Sequence, residues 1–100
     1  MTTLQEDFLN YQAKTTPHPL GIEVKKAKGV YITDTSGKKY LDFIAGVSVC
    51  SLGHCHSKVV TAIRKQIKEH MHVMVYGEFA QSAAVSLSKE LIALLPDNQE

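Results

Sequence analysis

Apolar residues recur along this chain in two periods. Near the start, Leu4, Phe8 and Tyr11 fall at helical spacing, and Thr3 followed by Glu6 forms a capping-box pattern. The spacing predicts a short helix over about residues 3 to 14, ended by Thr15-Thr16-Pro17-His18-Pro19, because proline lacks a backbone donor and restricts its predecessor. Alternation then takes over. Ile22 and Val24, Val30-Tyr31-Ile32-Thr33 and Tyr40-Leu41-Asp42-Phe43 read as β-strands, the last two joined through Asp34-Thr35-Ser36-Gly37. Asp at the first position and Gly at the fourth suit a type I turn closed by a positive φ at Gly37. From Gly46 to His56 no period holds, which predicts a loop.

Helical spacing returns after that loop. Ser57 suits an N-cap, and Val59, Val60, Ile63, Ile67 and Met71 share one side, with Lys58, Arg64, Lys65, Lys68 and Glu69 on the other. A last helix is expected from about Glu78 to Leu95, with Ala80, Ala84, Leu87, Leu91 and Leu95 on one face and Pro96 as its stop. Asp97-Asn98-Gln99-Glu100 reads as the beginning of a turn. The fold class is α+β: an N-terminal helix, a small antiparallel meander and two long helices. The parts are residues 1–20, helix and Pro-containing linker; 21–56, meander and glycine-containing loop; and 57–100, the helical segment. Long apolar stripes with few partners imply that more chain is needed to cover them.

Composition narrows the function classes. With 44% hydrophobic and 21% charged residues the chain is of ordinary globular type, neither disordered nor low-complexity. Eleven Lys plus Arg against ten Asp plus Glu give a net charge of +1 without clustering, which argues against a nucleic-acid surface. No apolar window is long enough for a membrane span, and Gln5, Glu6, Asp7 and Asn10 interrupt any signal-peptide pattern. A cytoplasmic protein is expected, and two cysteines are too few for a disulfide framework.

The candidate chemistry is mostly explained by structure. His54-Cys55-His56 with Cys50, and His70-Met71-His72, miss the spacing of zinc ligands, so no metal site is expected. His54 reads as a hydrogen-bonding residue that fixes the loop before the helix. Cys55 precedes a helix start, but a free cysteine is more often a small packed hydrophobe than a nucleophile. Neither GxGxxG nor a Walker pattern occurs. All lysines sit in polar surroundings by pattern and read as solvated charges, so none is nominated as catalytic.

From Gly29 onward, a set of fragments holds its order and spacing: Gly29-Val30-Tyr31, Asp34, Gly37, Tyr40-Leu41-Asp42-Phe43, Ala45-Gly46, Leu52-Gly53-His54-Cys55-His56, and Val59-Val60-x-Ala62-Ile63-x-x-Gln66. The set resembles class III aminotransferases, and Ala45-Gly46-Val47-Ser48-Val49 before Leu52-Gly53-His54 is most similar to the acetylornithine and ornithine branch. The resemblance covers about residues 17 to 95. Ser57 stands where the family usually has proline, and Thr33 where an aromatic residue is common. Val47 and Pro17 occupy positions that argue against ornithine itself as substrate.

The resemblance implies part of a fold type I enzyme that moves an amino group to a 2-oxo acid with pyridoxal 5'-phosphate, the donor being an ω-amine or an acylated diamino acid. It also implies that the Schiff-base lysine and the phosphate-binding turn lie beyond residue 100, so that the 100 residues alone are inactive. Substrate-pocket candidates are Val47 and Ser48, then Pro17, with Tyr76 and Gly77 as a further approach to cofactor or partner subunit. A homodimer is expected of the full-length protein, and self-association of the 100 residues alone. The rival reading is a non-catalytic module that binds a protein through its helix faces.

Overall fold

The structure, a computed structural model, describes residues 1–74 and 76–96. The turn read at 97–100 lies outside the described residues. The chain divides into two compact units, Met1–Arg64 and Lys65–Glu100, and the division falls inside a helix.

The first unit opens with α1, Leu4–Tyr11. It begins where Thr3 and Glu6 predict: Thr3 Oγ1 accepts the Glu6 amide at 3.2 Å, and the Thr3 amide donates to Glu6 Oε2 at 2.7 Å. Hydrogen bonds from Thr3 to the carboxylate, its backbone amide first and then its side chain, hold the Glu6 carboxyl below its ordinary pKa. The helix ends earlier than the expected residue 14, at Tyr11, because Gln12 is already extended.

Three antiparallel strands follow in the order β1-β2-β3: Val24–Lys28, Tyr31–Asp34 and Lys39–Leu41. Val24 faces Asp34 and Lys26 faces Thr33, so one extra residue bulges between them. At the β2-β3 turn the Gly37 amide donates to Asp34 O at 3.1 Å, and Gly37 has φ +91°, the left-handed conformation that glycine adopts freely. The Asp34 carboxylate organises this turn, accepting Ser36 Oγ at 2.7 Å, the Lys38 amide at 2.9 Å and Tyr40 Oη at 2.9 Å. These donors, Ser36 foremost, hold the Asp34 carboxyl below its usual value. β3 stops at Leu41, two residues short of the expected Phe43; beyond it the Ile44 and Ala45 amides donate to the Asp42 carboxylate and turn the chain away from the sheet.

The segment read as a loop carries structure of its own. Residues Ala45–Ser48 form one helical turn, α2. Its hand is left: φ is +49° at Ala45, +60° at Gly46, +57° at Val47 and +70° at Ser48. The sequence pattern missed it because a left-handed turn has no propensity signature, and only glycine adopts that region without strain.

The long helix α3, Ser57–Glu69, begins one residue before a cap at Ser57 would place it: Ser57 is its first residue, and the Val60 amide donates to His56 O. In the second unit, Gln66 Nε2 donates to His70 O at 3.1 Å and closes the end of α3. α4 runs Ser82–Ala93, shorter at both ends than the expected 78 to 95, with Gln81 extended ahead of it. Among the described residues no hydrophobic residue is buried; the residues buried as a whole are Thr33 and Asp34. Val59, Ile63 and Ile67 on α3, and Leu87 and Leu91 on α4, are all exposed. No helix of the described residues is long and apolar enough to cross a membrane.

Candidate functional site

A second hydrogen-bonded constellation centres on Asp42, just past β3. Its backbone amide continues the ladder by donating to Val30 O at 2.8 Å, which aims the side chain at the chain that follows. Oδ1 accepts the amides of Ile44 at 2.8 Å and Ala45 at 3.1 Å. Oδ2 accepts Nε2–H of His54 at 2.6 Å. The His54 bond, then those from Ile44 and Ala45, holds the Asp42 carboxyl below the ordinary aspartate range. Both side chains are largely enclosed, with 7% of Asp42 and 18% of His54 accessible.

His54 is fixed from its backbone as well. Gly29 and His54 exchange a pair of amide-to-carbonyl bonds at 2.9 and 2.8 Å. Two backbones can approach so closely because Gly53 has no side chain. A Cβ there would lie 3.2 Å from Gly29 O, and its φ of +90° is strained for any other residue. The reading of His54 as a loop-fixing residue therefore holds. What the sequence reading missed was its partner: Asp42 stood in the quoted Tyr-Leu-Asp-Phe fragment, but nothing local says that a carboxylate twelve residues upstream returns to the histidine.

Between Asp42 and His54 lies the left-handed turn with two of the pocket candidates. Val47 is 83% exposed, Ser48 is exposed, and Ser48 O accepts Ser51 Oγ at 2.9 Å. Pro17 is exposed in the linker after α1, and the structure gives it no bond to that turn. Tyr76 and Gly77 form a turn with φ of +62° and +77° in the second unit, with Tyr76 exposed.

An open groove of about 790 Å³ runs between α1 and residues 16–24, lined by apolar side chains including Leu4, Phe8, Tyr11, Pro19, Leu20 and Ile22. No cationic side chain lines it, so it does not suit a phosphate. Every lysine of the chain is exposed, and none is enclosed as an amine nucleophile must be. Among the described residues, no group of three His, Cys, Asp or Glu side chains could hold a metal ion. Among the described residues, the Asp42–His54 geometry positions backbone.

Comparison with known proteins gives that geometry a family. The family described as Aminotransferase class-III matches residues 11–100. The chain belongs to the class III aminotransferases. It is 42% identical over 94 residues to the acetylornithine aminotransferase of Methanocaldococcus jannaschii, a match that takes in 90% of this chain and 23% of that protein. Among solved structures, the acetylornithine aminotransferase of Elizabethkingia anophelis superposes with a TM-score of 0.76 at 29% identity, over 90% of this chain and 22% of that one. The omega transaminase of Pseudomonas jessenii, in complex with PMP, shares the fold at a TM-score of 0.81 and 20% identity, over 95% of this chain and 22% of that one. This class III chain thus spans less than a quarter of the relatives it matches.

A pyridoxal phosphate needs an amine to bind covalently and a cradle for its phosphate. The exposed lysines and the cation-free groove of this chain do not meet either need.

Proposed function

We propose that these residues are the N-terminal segment of a pyridoxal-phosphate-dependent aminotransferase of fold type I. It moves an amino group from an ω-amine or an acylated diamino acid to a 2-oxo acid. The observation that carries this reading is the family match over residues 11–100, together with similarity to relatives more than four times as long. The Schiff-base lysine and phosphate turn belong to the remaining part, and the segment contributes substrate contacts. Val47 and Ser48 line the substrate pocket, with Pro17 more peripheral. Val47, a branched apolar side chain, suits the acylated arm of a donor better than a charged one.

In this reading residues 1–20 form a leading helix and linker, 21–56 belong to the small domain, and 57–100 lead into the large one. The intact enzyme is a cytoplasmic homodimer. The exposed faces of α3 and α4 support a chain that self-associates when made without the rest.

The test is an amino-transfer assay with pyridoxal phosphate, an acylated diamino acid and a 2-oxo acid, run on the longer protein that begins with these residues and on the 100-residue chain. Transfer by the longer protein and none by the short chain is expected. Transfer by the short chain, or none by the longer protein with any ω-amine, overturns the reading; in the second case a helix-face interaction module becomes the better account.

A further inference from the structure

Four consecutive residues with positive φ, three of them not glycine, need an explanation. Gly46 at φ +60°, ψ +37° and Val47 at φ +57°, ψ +52° sit in the left-handed helical well. An L-residue there costs roughly 1–2 kcal/mol, and for a β-branched residue such as Val47 the position is a genuine outlier. Strain of this kind persists only where the surroundings over-determine the backbone.

Here they do so through one carboxylate. Asp42 Oδ1 holds the entry to the turn by accepting the Ile44 and Ala45 amides, and Oδ2 holds the exit by accepting His54 Nε2–H. The His54 backbone is in turn tied to Gly29 on the sheet. Inside the ring so closed, the Cys50 amide donates to Ala45 O at 2.9 Å and the Gly53 amide to Cys50 O at 2.8 Å. Both the Ile44 and the Ala45 amides depend on the same oxygen, Asp42 Oδ1.

We propose that Asp42 and His54 are positioning residues: they clamp the left-handed turn so that Val47 and Ser48 are presented to the amino donor. The proposal rests on the aminotransferase reading for what the turn meets, and on the present geometry for how it is held. Neither residue touches the reacting atoms. The clamp sets donor affinity and leaves the chemical step alone.

The test uses the longer enzyme with pyridoxal phosphate, as wild type and as Asp42→Ala, Asp42→Asn, His54→Ala and His54→Gln. Charge-assisted hydrogen bonds are the stronger ones, so the two alanine variants are expected to raise KM for the amino donor about tenfold while kcat stays within about twofold. His54→Gln, whose amide can still donate to Asp42, restores most of the affinity. Asp42→Asn, which keeps an acceptor for the two backbone amides, shows the same effect at smaller size and serves if Asp42→Ala does not fold. Unchanged KM in folded alanine variants, or a loss in kcat alone, overturns the proposal. A wild-type enzyme without any amino transfer removes the aminotransferase reading instead. The clamp is then judged in the 100-residue chain from backbone scalar couplings at Val47. Positive φ that survives in Asp42→Ala overturns the clamp, and its loss supports it.

Discussion

The region from Val24 to His54 and the helices α3 and α4 are held by opposite means. The first is tied by polar groups: Asp34 accepts three donors around the β2-β3 turn, Asp42 accepts three around the left-handed turn, and Gly29 pairs with His54. The helices satisfy their own backbones but leave Val59, Ile63, Ile67, Leu87 and Leu91 exposed. Hydrogen bonds are directional and short-ranged, so the first region specifies its shape within thirty or so residues. Burial is non-directional and needs area, which the described residues do not supply to the apolar faces of α3 and α4. One region carries its own instructions; the other awaits a surface.

The sharpest way to break the first region is Gly53→Ala. It combines a left-handed φ with a Cβ 3.2 Å from Gly29 O, and a loss of about 2–4 kcal/mol in unfolding free energy is expected from strain plus overpacking. Gly37→Ala is its control. At nearly the same φ, +91°, but with open space around the new methyl, it should cost only about 1 kcal/mol. Equal losses in denaturant melts of the two variants would show that the Gly29-Gly53 approach contributes nothing.

Acid should separate the two regions next. Asp34 and Asp42 both have folded-state pKa values below the ordinary 3.8. A depressed carboxyl contributes stability that is complete above its unfolded pKa and is lost as pH falls through the folded one. The meander and left-handed turn should therefore loosen below about pH 4, while α4, held by its own backbone bonds, keeps its helical signal longer. Amide exchange read residue by residue checks this, and simultaneous loss in both regions would contradict it.

The smallest effect is expected on the helical side. Ile63→Ser, at a half-exposed position, should change the stability of the isolated chain by no more than about 0.5 kcal/mol while lowering its self-association in light scattering. An unchanged assembly state would mean that the α3 face is not what brings copies together.

Much of this was legible in advance for reasons that can be stated residue by residue. Thr3 and Glu6 cap a helix in any context, because the bonds span three residues. Asp34 and Gly37 make their turn for the same reason. Helix ends were less legible: α1 and α4 stop short of their apolar patterns, since periodicity marks a face and not the residue at which an unpartnered end lets go. The left-handed turn was not legible at all. Only Gly46 of its four residues takes that conformation freely, and the others adopt it where a carboxylate before the turn and a histidine after it close on each other.

By itself, then, the amino-acid sequence determined the elements whose causes lie within a few residues, and the ordered set of fragments from Gly29 to Gln66 that marks a class III aminotransferase. Only the tertiary structure decided that Asp42 and His54 meet at 2.6 Å and that Ala45–Ser48 wind left-handed between them. The reason is physical: a contact across twelve residues depends on where a sheet edge sends the chain, and no residue type or spacing encodes that direction alone.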